Sequence, residues 1–355
     1  MKLKHLDLFS GIGGFHLGFQ KAGFELETYF SEIDKYAIDV YKHNFKNSKY
    51  VGSVTDIQSK DLPKIDLITF GSPCQDFSLA GKRKGMDGKR SSLITEAIRL
   101  IKECKPRFFI WENVKGTFSS NSSSDFWAII QAFTNIGGYR LEWQLLNTKW
   151  FLPQNRERIY LVGYIANGSG EQVFPITENN RTINELQGQQ ANTCTLTTRY
   201  EAGGNGSYII ERKLNAQKII AHDIPEIAPT LTKESADERI MIKTNNKKGY
   251  ETAKKGDSIN YAVPTSKTRR GRVGKGVAQT LDTACNQAVL DNKIRRLTPI
   301  ECERLQGFPD DWTKNGTELG TISDSQRYKM CGNAVTVDVV EAVAKKIKSN
   351  FNYVI

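Results

Sequence analysis

A chain of 355 residues is long enough for one large domain and a smaller one. Its 39% hydrophobic and 25% charged residues are those of an ordinary globular protein, and no apolar run reaches the length of a membrane span. Charges at Lys2, Lys4 and Asp7 exclude a signal peptide, so a cytoplasmic location, nucleoid-associated if the ligand is DNA, is the expectation. The six cysteines (Cys74, Cys104, Cys194, Cys285, Cys302, Cys331) form no CxxC pair, and the four histidines show no ligand spacing. That argues against a metal site and a disulfide framework, and leaves a cysteine free to act as a thiol. The net charge of +11 is the footprint of a nucleic-acid binder, although basic proteins without that role are common.

In chain order, Leu3 to Phe9 is a short apolar run ending in the glycine-rich turn Ser10 to Gly14. A helix is predicted from Phe15 to Ala22, a strand at Thr28 to Ser31, a helix at Ala37 to Phe45 and a third strand at Val51 to Val54. Ile65 to Phe70 reads as a buried strand, Leu93 to Glu103 as a helix, and Phe108 to Trp111 as another buried strand. Phe126 to Ile136 reads as helical, and Tyr139 to Asn147 with Arg158 to Ile165 as paired strands. The alternation predicts an α/β fold, a parallel-rich sheet covered by helices on both faces. From Asn167 to Lys293 the chain is rich in Gly, Thr, Asn, Lys and Arg, with short β-like runs. Three segments there echo one another as strand–loop units: Thr193 to Thr197, Pro229 to Thr232 and Gln279 to Asp282. Lys267 to Lys275 gathers five cations around two glycines, either a phosphate-tracking loop or a solvated surface loop. Helical pattern returns at Pro299 to Gln306 and at Val335 to Lys348.

Four segments carry chemistry. The turn between Asp7 and Phe15 lets backbone approach a ligand and offers amides at a helix N-terminus, though such turns also occur without ligands. Glu32 follows the second strand, where a carboxylate holds ribose hydroxyls. Asp56 follows the third, placed to accept from an adenine amino group, with Ile57 against the ring. Cys74 lies in Gly71-Ser-Pro-Cys-Gln-Asp-Phe-Ser78, after a buried strand and stiffened by Pro73. That context favours a nucleophile over an inert core thiol. Glu112 and Asn113 end an apolar strand, so burial would hold the Glu112 carboxyl neutral as a proton donor, unless the pair is merely a strand cap. In Gln154-Asn-Arg-Glu-Arg158, Arg156 and Arg158 alternate onto one face and suit an anion clamp or a charged strand edge.

These motifs resemble the cytosine-5 DNA methyltransferases of bacteria and their phages. The resemblance covers about residues 5 to 165 and 295 to 345. It runs through DLFSGIGGF (7–15), SEIDKYA (31–37), Asp56-Ile57, GSPCQDFS (71–78), WENV (111–114), QNRERIY (154–160), RRLTPIECERLQGFPDDW (295–312) and GNAVTVDVV (332–340). It implies a class I S-adenosylmethionine-dependent methyltransferase. The fold is a Rossmann-like mixed seven-stranded sheet at residues 1–169, a smaller β-rich target-recognition domain at 170–320, and a C-terminal segment, 321–355, that returns to the large domain.

By the same resemblance Cys74 attacks carbon 6 of a flipped cytosine, Glu112 holds its ring nitrogen, Arg158 contacts the base oxygen and Arg156 orders the catalytic loop and a phosphate. Gln75 closes over the base. Ser78, Lys82, Arg83, Arg269, Arg270, Arg272 and Lys275 are the DNA-facing candidates. Phe9, Gly11, Ile12, Gly13, Gly14, Glu32, Ile33, Asp56, Ile57, Pro73, Leu93, Asn333 and Val335 match cofactor positions. Expected partners are S-adenosylmethionine (leaving as S-adenosylhomocysteine) and double-stranded DNA, with a restriction endonuclease as a functional companion, no membrane, and a monomeric state. Ser72 departs from the Phe or other apolar residue that many members carry, and Asn155 from Lys or Arg. The alternatives are a nicotinamide-dependent oxidoreductase, which leaves Cys74 and the arginines unexplained, a catalytically silent DNA binder, and a tRNA methyltransferase, whose second domain is short.

Overall fold

The computed structural model describes residues 2–72, 93–118, 124–165, 172–177, 208–211, 219–221, 239–244, 246–262, 272–291 and 293–351. In chain order residues 2–164 form β1 (Lys2–Leu8), α1 (Gly14–Lys21), β2 (Glu25–Ser31), α2 (Lys35–Asn44), β3 (Lys49–Tyr50), β4 (Leu67–Gly71), α3 (Leu93–Cys104), β5 (Phe108–Val114), α4 (Ser124–Thr134), β6 (Arg140–Asn147), β7 (Gln154–Asn155) and β8 (Glu157–Tyr164). Seven of these strands form one sheet in the order β3-β2-β1-β4-β5-β8-β6. β1 pairs in parallel with β2 and β4, and β4 with β5. β8 runs antiparallel to both β5 and β6, which makes the sheet mixed.

Alternation along the strands explains the two covered faces. Leu67, Phe108, Ile110, Val162 and Tyr164 pack with α1 and with a C-terminal helix, α7 (Val337–Phe351), through Phe15, Phe19, Val340, Val343 and Ile347. The intervening residues Ile68, Phe70, Phe109, Trp111, Ile159 and Leu161 face α3 and α4. Each fully buried Leu, Ile or Phe stabilises the fold by about 1.5–3 kcal/mol, so both helical layers are held firmly.

The described smaller strands are β9 (Tyr208–Glu211), β10 (Ile219–Ala221), β11 (Arg239–Lys243), β12 (Tyr250–Ala253), β13 (Ser258–Asn260), β14 (Val273–Gly274), β15 (Ala278–Gln279), β16 (Gln287–Leu290) and β17 (Ile294–Arg296). They form two four-stranded sheets, β10-β9-β11-β12 and β14-β13-β16-β17, while β15 pairs with β7. Of the three echoing segments, the first two lie outside the described residues. The third begins in β15, and an open stretch then leads to β16.

After β17 come α5 (Pro299–Leu305) and α6 (Asp324–Asn333). Thr298 caps α5 through a reciprocal pair with Glu301. This segment touches the N-terminal elements: Trp312 Nε1 donates to the Ile12 carbonyl at 3.0 Å, and Gln154 Nε2 to the Leu305 carbonyl at 2.8 Å. Three local expectations change. The third strand is Lys49–Tyr50, not Val51 to Val54. β5 continues past Trp111 to Val114, because Glu112 pairs in register with Tyr160 and Val114 with Arg158. α6 is a helix with little apolar periodicity, so only its contacts with α5 reveal it.

Candidate active site

The site collects at the carboxyl ends of β1, β2, β4 and β5. The turn after β1 is strained in the direction expected of a ligand loop: Phe9 has φ 50° and Gly13 φ 87°. A Cβ at Gly13 would lie 2.3 Å from the Phe45 ring, so glycine is required there on two counts. A Cβ at Gly11 would meet nothing within 4 Å, so that side of the turn is open.

Glu32, at the end of β2, closes the turn. Its Oε2 accepts from the Gly11 amide at 2.9 Å, and its Oε1 from the amides of Ile33 (2.7 Å) and Asp34 (3.0 Å). Ile33 beside it is 78% exposed, an unusual position for a large aliphatic side chain. Asp56 is also exposed, its Oδ1 accepting from the Thr55 hydroxyl. Ile57 and Ile12 are instead core residues, packed with Ile65 and with Phe308 respectively. Their side chains serve the walls rather than an open surface. Ser10 is buried, and its Oγ has no hydrogen-bond partner. An orphaned hydroxyl is costly unless a ligand supplies its partner. This hydroxyl, the open side of Gly11, the Glu32 carboxylate and exposed Ile33 fit a ligand with both a polar and a flat apolar part.

Beneath the turn lies a buried polar network. The Thr69 and Tyr41 hydroxyls donate to the two Asp7 carboxyl oxygens at 2.8 and 3.2 Å. His5 Nε2 bonds Thr69 Oγ1 at 2.7 Å, and His16 Nδ1 bonds the Tyr41 hydroxyl at 3.0 Å. Burial pushes the Asp7 carboxyl up to about 8, against the Thr69 and Tyr41 bonds and with the help of the Glu32 charge. Burial likewise pushes the His16 imidazole down to about 3. Sequence reasoning passed over this network. Its one signal is an aspartate inside the apolar run that forms β1.

The C-terminal segment completes the wall. Val335, between α6 and α7, lies 2.6 Å from where a Gly14 Cβ would stand and 4.0 Å from that of Gly71. A side chain at Gly14 would therefore drive the two segments apart. Asn333 is exposed at the end of α6, and Leu93 is half-buried at the start of α3.

The acid group stands across from this wall. Gly71 and Glu112 are register partners, and a Cβ at Gly71 would lie only 3.0 Å from Glu112 Oε2. Glycine at the end of β4 thus makes room for the carboxyl. Glu112 is buried, and its Oε1 lies 3.1 Å from Arg158 Nε. Burial holds the Glu112 carboxyl above its ordinary range, and the nearby Arg158 and Arg156 charges oppose this. Neither contacting atom has hydrogen-bond geometry with any other group, so the contact is an ion pair without an aligned bond.

Arg156 has a different task from its neighbour. It is 3% exposed, and its Nη atoms donate to the carbonyls of Leu281, Gly332 and Ala334 (2.9 to 3.4 Å). It therefore ties Leu281, just after β15, and the segment before Val335 to the start of β8. Arg272, expected on a phosphate-facing loop, is also buried; it donates to the carbonyls of Asn260 and Lys243. Lys275 is exposed and pairs with Asp257 at 2.9 Å. Pro73, Cys74, Gln75, Ser78, Lys82, Arg83, Arg269 and Arg270 lie outside the described residues. Among the described residues no cluster of His, Cys, Asp and Glu is arranged to hold a metal, and no helix is long and apolar enough to cross a membrane.

The model of the C-5 cytosine-specific DNA methylase family matches residues 3–349. The type II methyltransferase M1.ScrFI of Lactococcus lactis subsp. cremoris is 34% identical over 357 residues, covering 98% of this chain and 78% of that protein. M.NgoBI of Neisseria gonorrhoeae is 33% identical over 344 residues (96% and 92%), and the orphan methyltransferase M.SPRI of Bacillus phage SPR 30% over 429 (98% and 97%). Among solved structures, the S. pombe Dnmt2 methyltransferase superposes with a TM-score of 0.61 at 18% identity, covering 99% of each chain. A putative DNA modification methyltransferase encoded within an E. coli prophage gives 0.59 at 22%, again over 99% of each chain. These last two establish the shared fold. With the family model matching nearly its whole length, the chain belongs to the C-5 cytosine-specific DNA methylases and is a DNA cytosine-5 methyltransferase.

Proposed function

We propose that the enzyme methylates carbon 5 of a cytosine within a specific duplex DNA sequence, using Cys74 as nucleophile and Glu112 as acid. The observation that carries this reading is the buried Glu112 carboxyl, held toward its neutral form beside Arg158 and facing Gly71, three residues before Cys74. S-adenosylmethionine, when bound, supplies an electrophilic methyl group. Glu32, Ile33, Asp56 and the Ser10 hydroxyl are the groups that would hold it, with Val335 and Gly14 as the wall.

The Cys74 thiolate adds to carbon 6 of the flipped base, and Glu112 gives its proton to ring nitrogen 3. Addition thereby yields a neutral enamine whose carbon 5 is nucleophilic, and Arg158 donates to the base oxygen. After carbon 5 is methylated, loss of its proton to solvent water and return of the nitrogen 3 proton to Glu112 expel the Cys74 thiolate and restore the ring. Gln75 closes over the base, Ser78 lies near its phosphate, and Lys82, Arg83, Arg269, Arg270 and Lys275 face the DNA. The net charge of +11 favours a polyanionic substrate. The relatives' names include type II and orphan methyltransferases, which supports a place beside a restriction endonuclease or in a phage that evades one. Incubation with labelled S-adenosylmethionine and duplex DNA, followed by digestion to nucleosides, should give 5-methyldeoxycytidine. Label in RNA alone would overturn the substrate, and label on adenine or on cytosine nitrogen 4 the chemistry.

A further inference from the structure

Ser72 leaves β4 one residue after Gly71, and the alternation of the strand sends the two residues to opposite faces. Gly71 lies under the Glu112 carboxyl. Ser72, 6% exposed, lies on the other face, against the neighbours of Glu112 in β5. Its Oγ accepts from the Trp111 indole Nε1 at 3.1 Å and from Asn113 Nδ2 at 3.3 Å. Its carbonyl accepts from the same Nδ2 at 3.2 Å. Asn113 is itself fixed, its Oδ1 accepting from the Val114 amide (2.7 Å) and the Thr117 hydroxyl (3.2 Å). Trp111 is fully buried among Phe133 and its neighbours, so its indole N–H depends on an acceptor inside the protein.

We propose that Ser72 is a positioning residue: its hydroxyl and carbonyl fasten the chain that enters Pro73-Cys74 to the two residues flanking Glu112. Two groups that act on one base need a fixed separation, and the clamp holds Ser72, the last described residue before the proline, against β5. An apolar residue at 72 could not accept from the indole or from Asn113. The proposal rests on the reading of Cys74 and Glu112 given above.

The test measures the single-turnover rate at which the protein forms a covalent adduct with a 5-fluorocytosine duplex in the presence of S-adenosylmethionine. S-adenosylhomocysteine affinity and melting temperature are recorded alongside. Ser72→Ala should slow adduct formation by about 100-fold, the scale of a small misplacement of reacting groups. Affinity for S-adenosylhomocysteine should stay at the wild-type value, and Ser72→Thr should restore most of the rate. Trp111→Phe removes the donor and keeps an aromatic ring, though a smaller one, so it reports even where Ser72→Ala fails to fold. It should slow the adduct too, and the double variant should be no slower than the worse single one. A wild-type adduct rate in both single variants, or a rate loss that merely tracks melting temperature and cofactor affinity, overturns the role of Ser72. So does a double variant that multiplies the two losses. A wild-type protein that forms no adduct overturns instead the assignment of Cys74, and the positioning role falls with it.

Discussion

Arg158 Nε lies 3.1 Å from Glu112 Oε1, on the sheet face where Gly71 makes room for the carboxyl. The pair is mostly buried, and burial outweighs the arginine: the Glu112 carboxyl is held above its ordinary range. A partly dehydrated acid beside a cation is poised to protonate a ring nitrogen without becoming a permanent charge.

Glu112→Gln keeps the shape and removes the transferable proton. Methyl transfer should fall by about 10²- to 10⁴-fold, the usual worth of a positioned acid. S-adenosylhomocysteine affinity, measured by calorimetry, should not change. In the wild type the rate should decline as rising pH deprotonates Glu112; a glutamine variant with near-normal turnover would contradict its role.

Glu32 holds the Gly11 amide with one oxygen and two further amides with the other. Glu32→Ala therefore loosens the turn and, on the proposed reading, deletes a cofactor contact. Hydrogen bonds to a charged group contribute about 1.5–3 kcal/mol, so the KM for S-adenosylmethionine should rise about 10- to 100-fold while kcat changes little. A pure kcat loss would mean that Glu32 acts in chemistry instead.

Asp7 gives a pH signature. Its folded value is about 8, well above the ordinary carboxyl value, so the native state binds the extra proton between about 4 and 8. The stability this confers is full at low pH and is lost as pH rises through that window, by up to about 1.4 kcal/mol per unit. His5 and His16, held neutral, act with the opposite sign as pH falls. They are present in both proteins when the wild type is compared with Asp7→Asn. Denaturant unfolding at several pH values should show the asparagine variant gaining on the wild type as pH rises, and parallel curves would contradict a protonated Asp7.

Arg272 distinguishes a structural cation from a phosphate contact. Its guanidinium serves the carbonyls of Asn260 and Lys243. Arg272→Ala should lower stability by about 1–3 kcal/mol per orphaned group, read in urea, and leave the salt dependence of DNA binding unaltered. A shallower salt slope with unchanged stability would return Arg272 to the DNA surface.

The seven-stranded sheet was legible because its strands are apolar runs that end in glycine or a polar motif, and the helices beside it carry clear periodicity. The site's outline was legible for the same reason: Glu32 and Gly71 lie at strand ends, and Glu112 breaks the apolar run of β5 two residues before its end. Ser72 and Asn113 were not read as partners, since a contact across two strands 41 residues apart leaves no local pattern. Arg272 was expected on an exposed, phosphate-facing loop because sequence records its charge and not the carbonyls of Asn260 and Lys243 that surround it. Residues 306–322 carry little periodicity, and their place against Ile12 and Asp39 depends on contacts such as those of Trp312 and the Leu319 amide.

The central claim is that Cys74 attacks the base. Fluorine at carbon 5 cannot leave as a proton does, so attack on a 5-fluorocytosine duplex with S-adenosylmethionine present should trap the protein on DNA. Intact mass and peptide mapping should place the adduct on Cys74, with none in Cys74→Ala. An adduct on another residue, or no adduct across a sequence-diverse duplex pool from a protein that binds S-adenosylmethionine, would contradict the account.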